Sequence, residues 1–208
     1  MSDHVVRLRL ATRNAHKARE FRELLGPEFA LEDLVAHPEI GEVIENGATF
    51  EANARIKAVA ISRQLPGLVL ADDSGLEVDS LGGAPGIFSA RYAGQGASDA
   101  QHRRKLLDAL TELPPDSPRT ARFRCLLALA RGGRVIATFT GTVEGKIARA
   151  ERGSGGFGYD SLFLPNESAT TFAELSAAEK NVLSHRAAAV VQLRDFLRLS
   201  TPGISYQG

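Results

Sequence analysis

Leu68-Val69-Leu70-Ala71, entered through Pro66-Gly67 and followed at once by Asp72-Asp73-Ser74-Gly75, constrains this chain more than any other stretch. A short unbroken apolar run behind a breaker reads as a buried strand. The spacing predicts that the strand leaves the core at Asp72 and that Gly75 lets the backbone turn. Two carboxylates and a hydroxyl would then sit at a strand end, where open α/β sheets collect ligands. Adjacent Asp residues are poor strand formers and repel one another. A cation such as Mg²⁺ would relieve that repulsion, because it takes one or two carboxylates together with substrate phosphates. The simpler alternative is a polar turn that caps the next element.

Upstream, Val5 to Ala11 alternates apolar residues with Arg7 and Arg9, which predicts a first strand. Thr12-Arg13-Asn14-Ala15-His16-Lys17 follows, and Ala18, Phe21, Leu24 and Leu25 mark a helical face ended by Gly26-Pro27. Asn14 is the N-cap candidate. Free N–H groups at a helix start, with Lys17 beside them, could hold a phosphate. A capped helix with a solvated lysine explains the same residues. Phe29 to Val35 reads as a second strand, and a loop containing Glu39, Glu42 and Glu45 runs to Gly47. A helix then starts near Thr49, with Phe50, Ala54, Ala58 and Ile61 inside and Asn53 and Lys57 at the margin of that stripe.

Beyond the Asp pair, Leu81-Gly82-Gly83-Ala84-Pro85-Gly86 is a loop or a place of close backbone approach. Ser98 to Gln101 and Ser176 to Glu179 are capping boxes. Alternating runs ending at Arg131 and restarting at Arg134, joined by Gly132-Gly133, predict a hairpin. Gly153 to Asp160 places four glycines beside Phe157 and Tyr159, whose rings offer faces for a flat base. Leu162 to Leu164 reads as a strand, and a C-terminal helix carries Lys180, His185 and Arg186, with a possible break at Ser184.

Lys+Arg and Asp+Glu both number 25, so bulk charge draws the chain neither to nucleic acid nor to an anionic membrane. One cysteine, Cys125, excludes an internal disulfide framework and reads as a small buried hydrophobe. The N-terminus has no apolar signal core and no stretch reaches a membrane span, so a cytoplasmic location is the default expectation. With no repeat or long linker, residues 1–208 read as one domain with 201–208 as a frayed tail.

Five blocks, Thr12 to Lys17, Asp72 to Leu76, Leu81 to Gly86, Gly155 to Asp160 and Ser184-His185-Arg186, stand in an order that resembles the inosine/xanthosine triphosphate pyrophosphatases, from about residue 5 to 198. The resemblance implies an α/β fold with a long mixed sheet flanked by helices, two lobes around a substrate cleft, and a homodimer. It implies Mg²⁺-dependent hydrolysis of inosine, deoxyinosine and xanthosine triphosphates to monophosphate and pyrophosphate. By the same resemblance Thr12, Arg13, Asn14, Ala15, His16 and Lys17 form the phosphate loop, and Asp73 is metal ligand and catalytic base. Ser74 is the next substrate contact and Glu45 a second acid for the metal. Phe157, Gly158, Tyr159 and Asp160 are the base-binding block, and Lys180, His185 and Arg186 are further contacts. Lys17, Lys57 and Lys180 are candidate phosphate partners, where a point charge suffices. Asp72 is the alternative proton acceptor, and His185 and Arg186 are candidate donors to a 6-keto group. Three positions depart from the family pattern: Arg13 where many members have Gly, Ser161 where Pro is usual, and Ala187 where Gly is usual. A pyrophosphatase for other modified nucleotides, or a nucleotide sensor without turnover, would carry much of the same inventory.

Overall fold

A computed structural model describes residues 5–200, with the side chain of Ser200 excluded; the expected tail at 201–208 lies outside the described residues. Six strands form one mixed sheet in the order β2-β1-β3-β4-β5-β6. They are β1 (Val6–Leu10), β2 (Phe29–Asp33), β3 (Leu68–Val78), β4 (Thr120–Arg131), β5 (Arg134–Ile147) and β6 (Phe163–Pro165). Five α-helices accompany them among the described residues: α1 (Ala15–Leu25), α2 (Phe50–Ser62), α3 (Asp99–Thr111), α4 (Ala177–Leu183) and α5 (His185–Ser200). Strand β1 runs parallel to both β2 and β3, while β5 and β6 are antiparallel. The helix-flanked α/β sheet that the sequence implies is therefore present.

Two compact units divide the chain. The first holds residues up to 73, 125–141 and those from 186 onward; the second holds 74–124 and 142–185. In the first unit the pleat explains the apolar run. Leu68 and Leu70 of β3 join Leu127 and Leu129 of β4 in a cluster with Phe21, Leu25, Val190 and Leu193. Val69 and Ala71 join Ala128 and Ala130 in a second cluster with Ala54, Ala58 and Ile61. Successive residues of a strand face opposite sides. Helices α1 and α5 thus cover one face of these strands and α2 the other. The second unit has its own core, built on Leu76, Val78, Leu106, Phe123, Leu162, Phe163 and Phe172. Phe123 lies 4.7 Å from Phe163 and 6.1 Å from Phe172 between ring centroids.

Local signals held well. Asn14 caps α1 by accepting from the N–H groups of His16 and Lys17. Both capping boxes are closed, at Ser98/Gln101 and Ser176/Glu179. Gly132 and Gly133, at φ 56° and 77°, make the two-residue turn between β4 and β5 that positive φ permits. One expectation is corrected: β3 does not end at Asp72. It runs to Val78 with Gly75 inside it, so Asp72-Asp73-Ser74-Gly75 is mid-strand. The alternation of Leu76 and Val78, both buried, continues the strand into the second unit's core.

Gly145 of β5 pairs with Pro165 of β6. A methyl group there would overlap the Leu164 carbonyl oxygen and come within 2.7 Å of Phe163 Cζ. Gly145→Ala is expected to destabilise the protein by about 1–3 kcal/mol, read as a lowered urea midpoint at unchanged m-value.

Candidate active site

The pleat that builds the core also separates the two acids. Asp72 follows Leu68 and Leu70 onto the α1/α5 face; Asp73 follows Val69 and Ala71 onto the α2 face. Their surroundings are correspondingly different.

Asp72 is buried at 4% exposure. Its Oδ2 lies 2.7 Å from Lys17 Nζ and 3.5 Å from Arg186 Nη2, and its Oδ1 accepts from the Cys125 thiol at 3.3 Å. Arg186 is itself buried and its Nη1 donates to Glu20. Burial disfavours the guanidinium charge, but Asp72 and Glu20 outweigh it and raise the Arg186 pKa above its ordinary value. Burial, reinforced by Asp72, pushes the Cys125 thiol well up, so it stays protonated and can donate. Cys125 is buried as expected, yet it also serves a carboxylate.

Asp73 is half-buried, and its Oδ2 is shielded from solvent with no hydrogen-bond partner. Burial pushes its pKa up to about 6, with Asp72 and Glu45 adding to the rise and Lys17 and Lys57 opposing it. Lys57 Nζ lies 2.9 Å from Glu45 Oε1 and donates to the Asp72 carbonyl oxygen at 3.1 Å. So Asp73, Glu45, Lys57 and Lys17 form one electrostatic neighbourhood. Ser74 is the next residue of β3 and is half-buried.

The Thr12 to Lys17 loop is tightly self-bonded. Thr12 Oγ1 accepts from Asn14 N at 3.1 Å, and Asn14 Oδ1 takes the His16 and Lys17 N–H groups. Arg13 Nη2 donates to the carbonyls of His37 and Ile40, tying down the segment that leads to Glu45. Ala15 and His16 are exposed. The cap thus occupies the His16 and Lys17 N–H groups, and the Lys17 ammonium faces Asp72.

In the second unit Lys180 and Asp160, both buried, pair at 2.6 Å, and Asp160 Oδ2 also accepts from Phe157 N at 2.9 Å. Lys180 Nζ sits 5.2 Å from the Phe157 ring centroid. Gly156, at φ 70°, approaches Asp160 so closely that a Cβ would overlap its carboxylate, so this glycine run is not a mere connector. His185 stacks on Phe123 at 4.8 Å. Tyr159 departs from expectation. Its ring belongs to the second unit's core and its hydroxyl donates to the Ser89 carbonyl at 2.9 Å. A buried ring with a satisfied hydroxyl has no open face for a base, which leaves Phe157, half-exposed, as the stacking candidate. Helix α4 ends at Leu183; the extended ψ of 153° at Ser184 breaks the helix and lets α5 start at His185. The break assigns His185 to the second unit and Arg186 to the first.

Sequence reasoning missed Glu20 and the carboxylate role of Cys125. Glu20 carried a signal: it lies three residues from Lys17, on the face of α1 that also holds Phe21.

The donors suit a hard divalent ion. Among the described residues no group of three or more His, Cys, Asp or Glu side chains forms a metal cage. Asp73 offers an oxygen without a protein partner, and Glu45 is a second carboxylate in the same neighbourhood. Mg²⁺ binds in that way, through one or two carboxylates with the rest from water and substrate phosphates.

Comparison with known proteins extends these local matches across the chain. The Ham1 family model matches residues 8–196. A dITP/XTP pyrophosphatase of Geobacillus kaustophilus is 49% identical over 88% of this chain and 90% of its own length. One from Streptococcus thermophilus is 47% identical over 90% of this chain, which spans 58% of that longer protein. A solved HAM1 protein from Coxiella burnetii superposes with a TM-score of 0.83 at 40% identity, over 94% of this chain and 100% of that one. With a family match over nearly the whole described chain and a shared fold, this chain belongs to the Ham1 family.

Proposed function

We propose that this chain is a nucleoside triphosphate pyrophosphohydrolase that cleaves non-standard purine triphosphates (inosine, deoxyinosine and xanthosine) to monophosphate and pyrophosphate, and so clears deaminated purines from the nucleotide pool. The names of its relatives support the substrate class. The observation that carries the chemistry is Asp73, a shielded acid with an unpartnered oxygen and a pKa near 6. On the family resemblance the chain works as one pyrophosphatase domain, as a homodimer in the cytoplasm, on small nucleotides rather than on nucleic acid or a membrane. Among the described residues no helix is long and apolar enough to cross a membrane.

Water attacks the α-phosphorus, the bond from that phosphorus to the bridging oxygen breaks, and pyrophosphate leaves with the bond electrons. Asp73 would hold Mg²⁺, with Glu45 as the second carboxylate; when bound, the ion supplies Lewis-acid polarisation and charge neutralisation. Asp73 takes the proton of the attacking water; without the ion, burial already raises its pKa to about 6, which leaves it mostly ionised at neutral pH. Lys17 and Lys57 offset the triphosphate charge, so catalysis is chiefly positioning and electrostatics. Asp72, already held by Lys17 and Arg186, is the structural member of the pair.

At the base, a 6-keto oxygen accepts where an adenine 6-amino group donates. A buried donor therefore favours inosine, and unpaired polar groups can support discrimination of about 10⁴. On the family resemblance His185 and Arg186 are the candidate donors; within the second unit Phe157 offers a ring face beside the Lys180–Asp160 pair.

Three outcomes are expected. Incubation with deoxyinosine triphosphate and Mg²⁺ should yield pyrophosphate and no orthophosphate by phosphorus NMR; release of orthophosphate would refute the cleavage site. Asp73→Asn should lower kcat by more than about 10⁴-fold, above the roughly 10²–10⁴ range of a general base alone. The same variant tests the burial argument. A carboxyl whose folded pKa is raised from 3.8 to about 6 binds its proton more tightly when folded. It therefore loses stability as pH rises through that window, by roughly 3 kcal/mol at most. Asp73→Asn should thus melt higher than the parent at pH 8 in EDTA, with the gap closing toward pH 4. Arg186→Ala removes a buried cation from Glu20 and Asp72 and should cost about 3–5 kcal/mol in urea denaturation; assayed well below its Tm, it should also lose preference for inosine over adenosine triphosphate in kcat/KM.

A further inference from the structure

The base-binding block 157–160 has an external support that plays no part in the phosphate chemistry. Gly158 sits at φ 60°, a conformation only glycine adopts freely, and glycine is also the residue with most backbone freedom to lose. Both of its backbone polar groups are nevertheless held from α3. Its N–H donates to Asp99 Oδ2 at 2.6 Å, and its carbonyl accepts from Arg103 Nη1 at 2.9 Å. Asp99 is the first residue of α3, directly after the Ser98 cap, and Arg103 is one turn later on the same face. The hold continues past the block. Arg103 Nε donates to Glu151 Oε2 at 2.7 Å, and the same oxygen accepts from Ser161 Oγ at 3.1 Å. Ser161 stands where the family resemblance expects proline, which would stiffen the chain through its locked φ. Here a hydroxyl–carboxylate bond anchors that position. Between Gly158 and Ser161, Asp160 Oδ2 takes the Phe157 N–H and the Lys180 ammonium, so fixing the two ends fixes the Asp160 carboxylate between them and, through it, the backbone of Phe157 next to Gly158.

We propose that Asp99 and Arg103 are positioning residues for purine recognition: they clamp the Gly158 peptide groups and, through Glu151, Ser161, so that Phe157 and Asp160 meet the base in one preset geometry. The proposal rests on the reading that the 157–160 block contacts the base. Neither residue touches substrate. Each holds backbone by a charge-assisted bond, the stronger class of hydrogen bond.

The test is steady-state kinetics with deoxyinosine triphosphate and Mg²⁺, together with inhibition by pyrophosphate, a ligand without a base. Asp99→Ala and Arg103→Ala should each raise KM about tenfold, with kcat and the pyrophosphate Ki within about twofold of the parent. Arg103→Lys, which can still reach the Gly158 carbonyl, should recover part of the KM. An unchanged KM in Arg103→Ala overturns the proposal, and so does a parallel rise in KM and pyrophosphate Ki, which marks general loss of structure. Phe157→Ala separates the two layers. If it raises KM while the α3 variants do not, the clamp is wrong and the base block stands; if it leaves KM unchanged, the reading of the block fails and the clamp with it.

Discussion

Strand alternation at Asp72-Asp73 is what the rest of the first unit is built around. In a turn, two adjacent carboxylates would share one polar surface and repel. In a strand they face opposite sides of the sheet and meet different surroundings, with the charge of Lys17 reaching both. Asp72 lands among Lys17, Arg186 and Cys125; Asp73 lands beside Lys57 and Glu45. One dipeptide thereby yields a paired, deeply buried anion and a half-buried acid with an oxygen to spare.

The paired anion sets conditions on the helices over its face. Burying a lone carboxylate is costly enough that partners must come with it. Helix α1 supplies Lys17 to Asp72 and Glu20 to Arg186, from positions three residues apart. Helix α5 supplies Arg186 from its second residue, and β4 supplies the thiol of Cys125. Acid and base alternate through the cluster, so each charge has an opposite neighbour. Such a cluster adds little net stability over an apolar core of the same volume, but removing one member is expensive. Its effect is on register: sliding α1 or α5 by one residue would break the charge pairing as well as the apolar packing of Phe21 and Val190.

Much of this was legible in the sequence, and the misses have physical causes. Caps, capping boxes and the Gly-Gly hairpin were readable because each is decided within a few residues. The apolar stripe of α2 was readable because Ala54, Ala58 and Ile61 follow the helical period. The continuation of β3 was not, because Asp and Gly disfavour strands and only tertiary partners reverse that preference. Those partners, Lys17 and Arg186, lie 55 and 114 positions from Asp72, beyond any local window. Tyr159 misled for a related reason. A tyrosine beside glycines reads equally as a stacking platform or a core residue, and the deciding contact with Ser89 is 70 residues away. Cys125 read correctly as buried, but its hydrogen bond depended on which carboxylate the pleat would bring to it.

Pairing distinguishes the acids that hold the fold from the one available to chemistry. Glu20 is bonded to Arg186, Asp72 to Lys17, and Asp160 to Lys180. In each pair the cation satisfies the carboxylate, and a divalent ion would have to displace it. Among the described residues, Asp73 is the one acid with a shielded carboxylate oxygen that no donor reaches. Two lysines act on it through charge alone and do not offset its burial, so its pKa stays high. A shielded oxygen without a donor is a poor arrangement for stability and a suitable one for gripping a hard cation or taking a proton. The fold tolerates that defect at Asp73 because the neighbouring acid, on the opposite face of the same strand, is fully compensated.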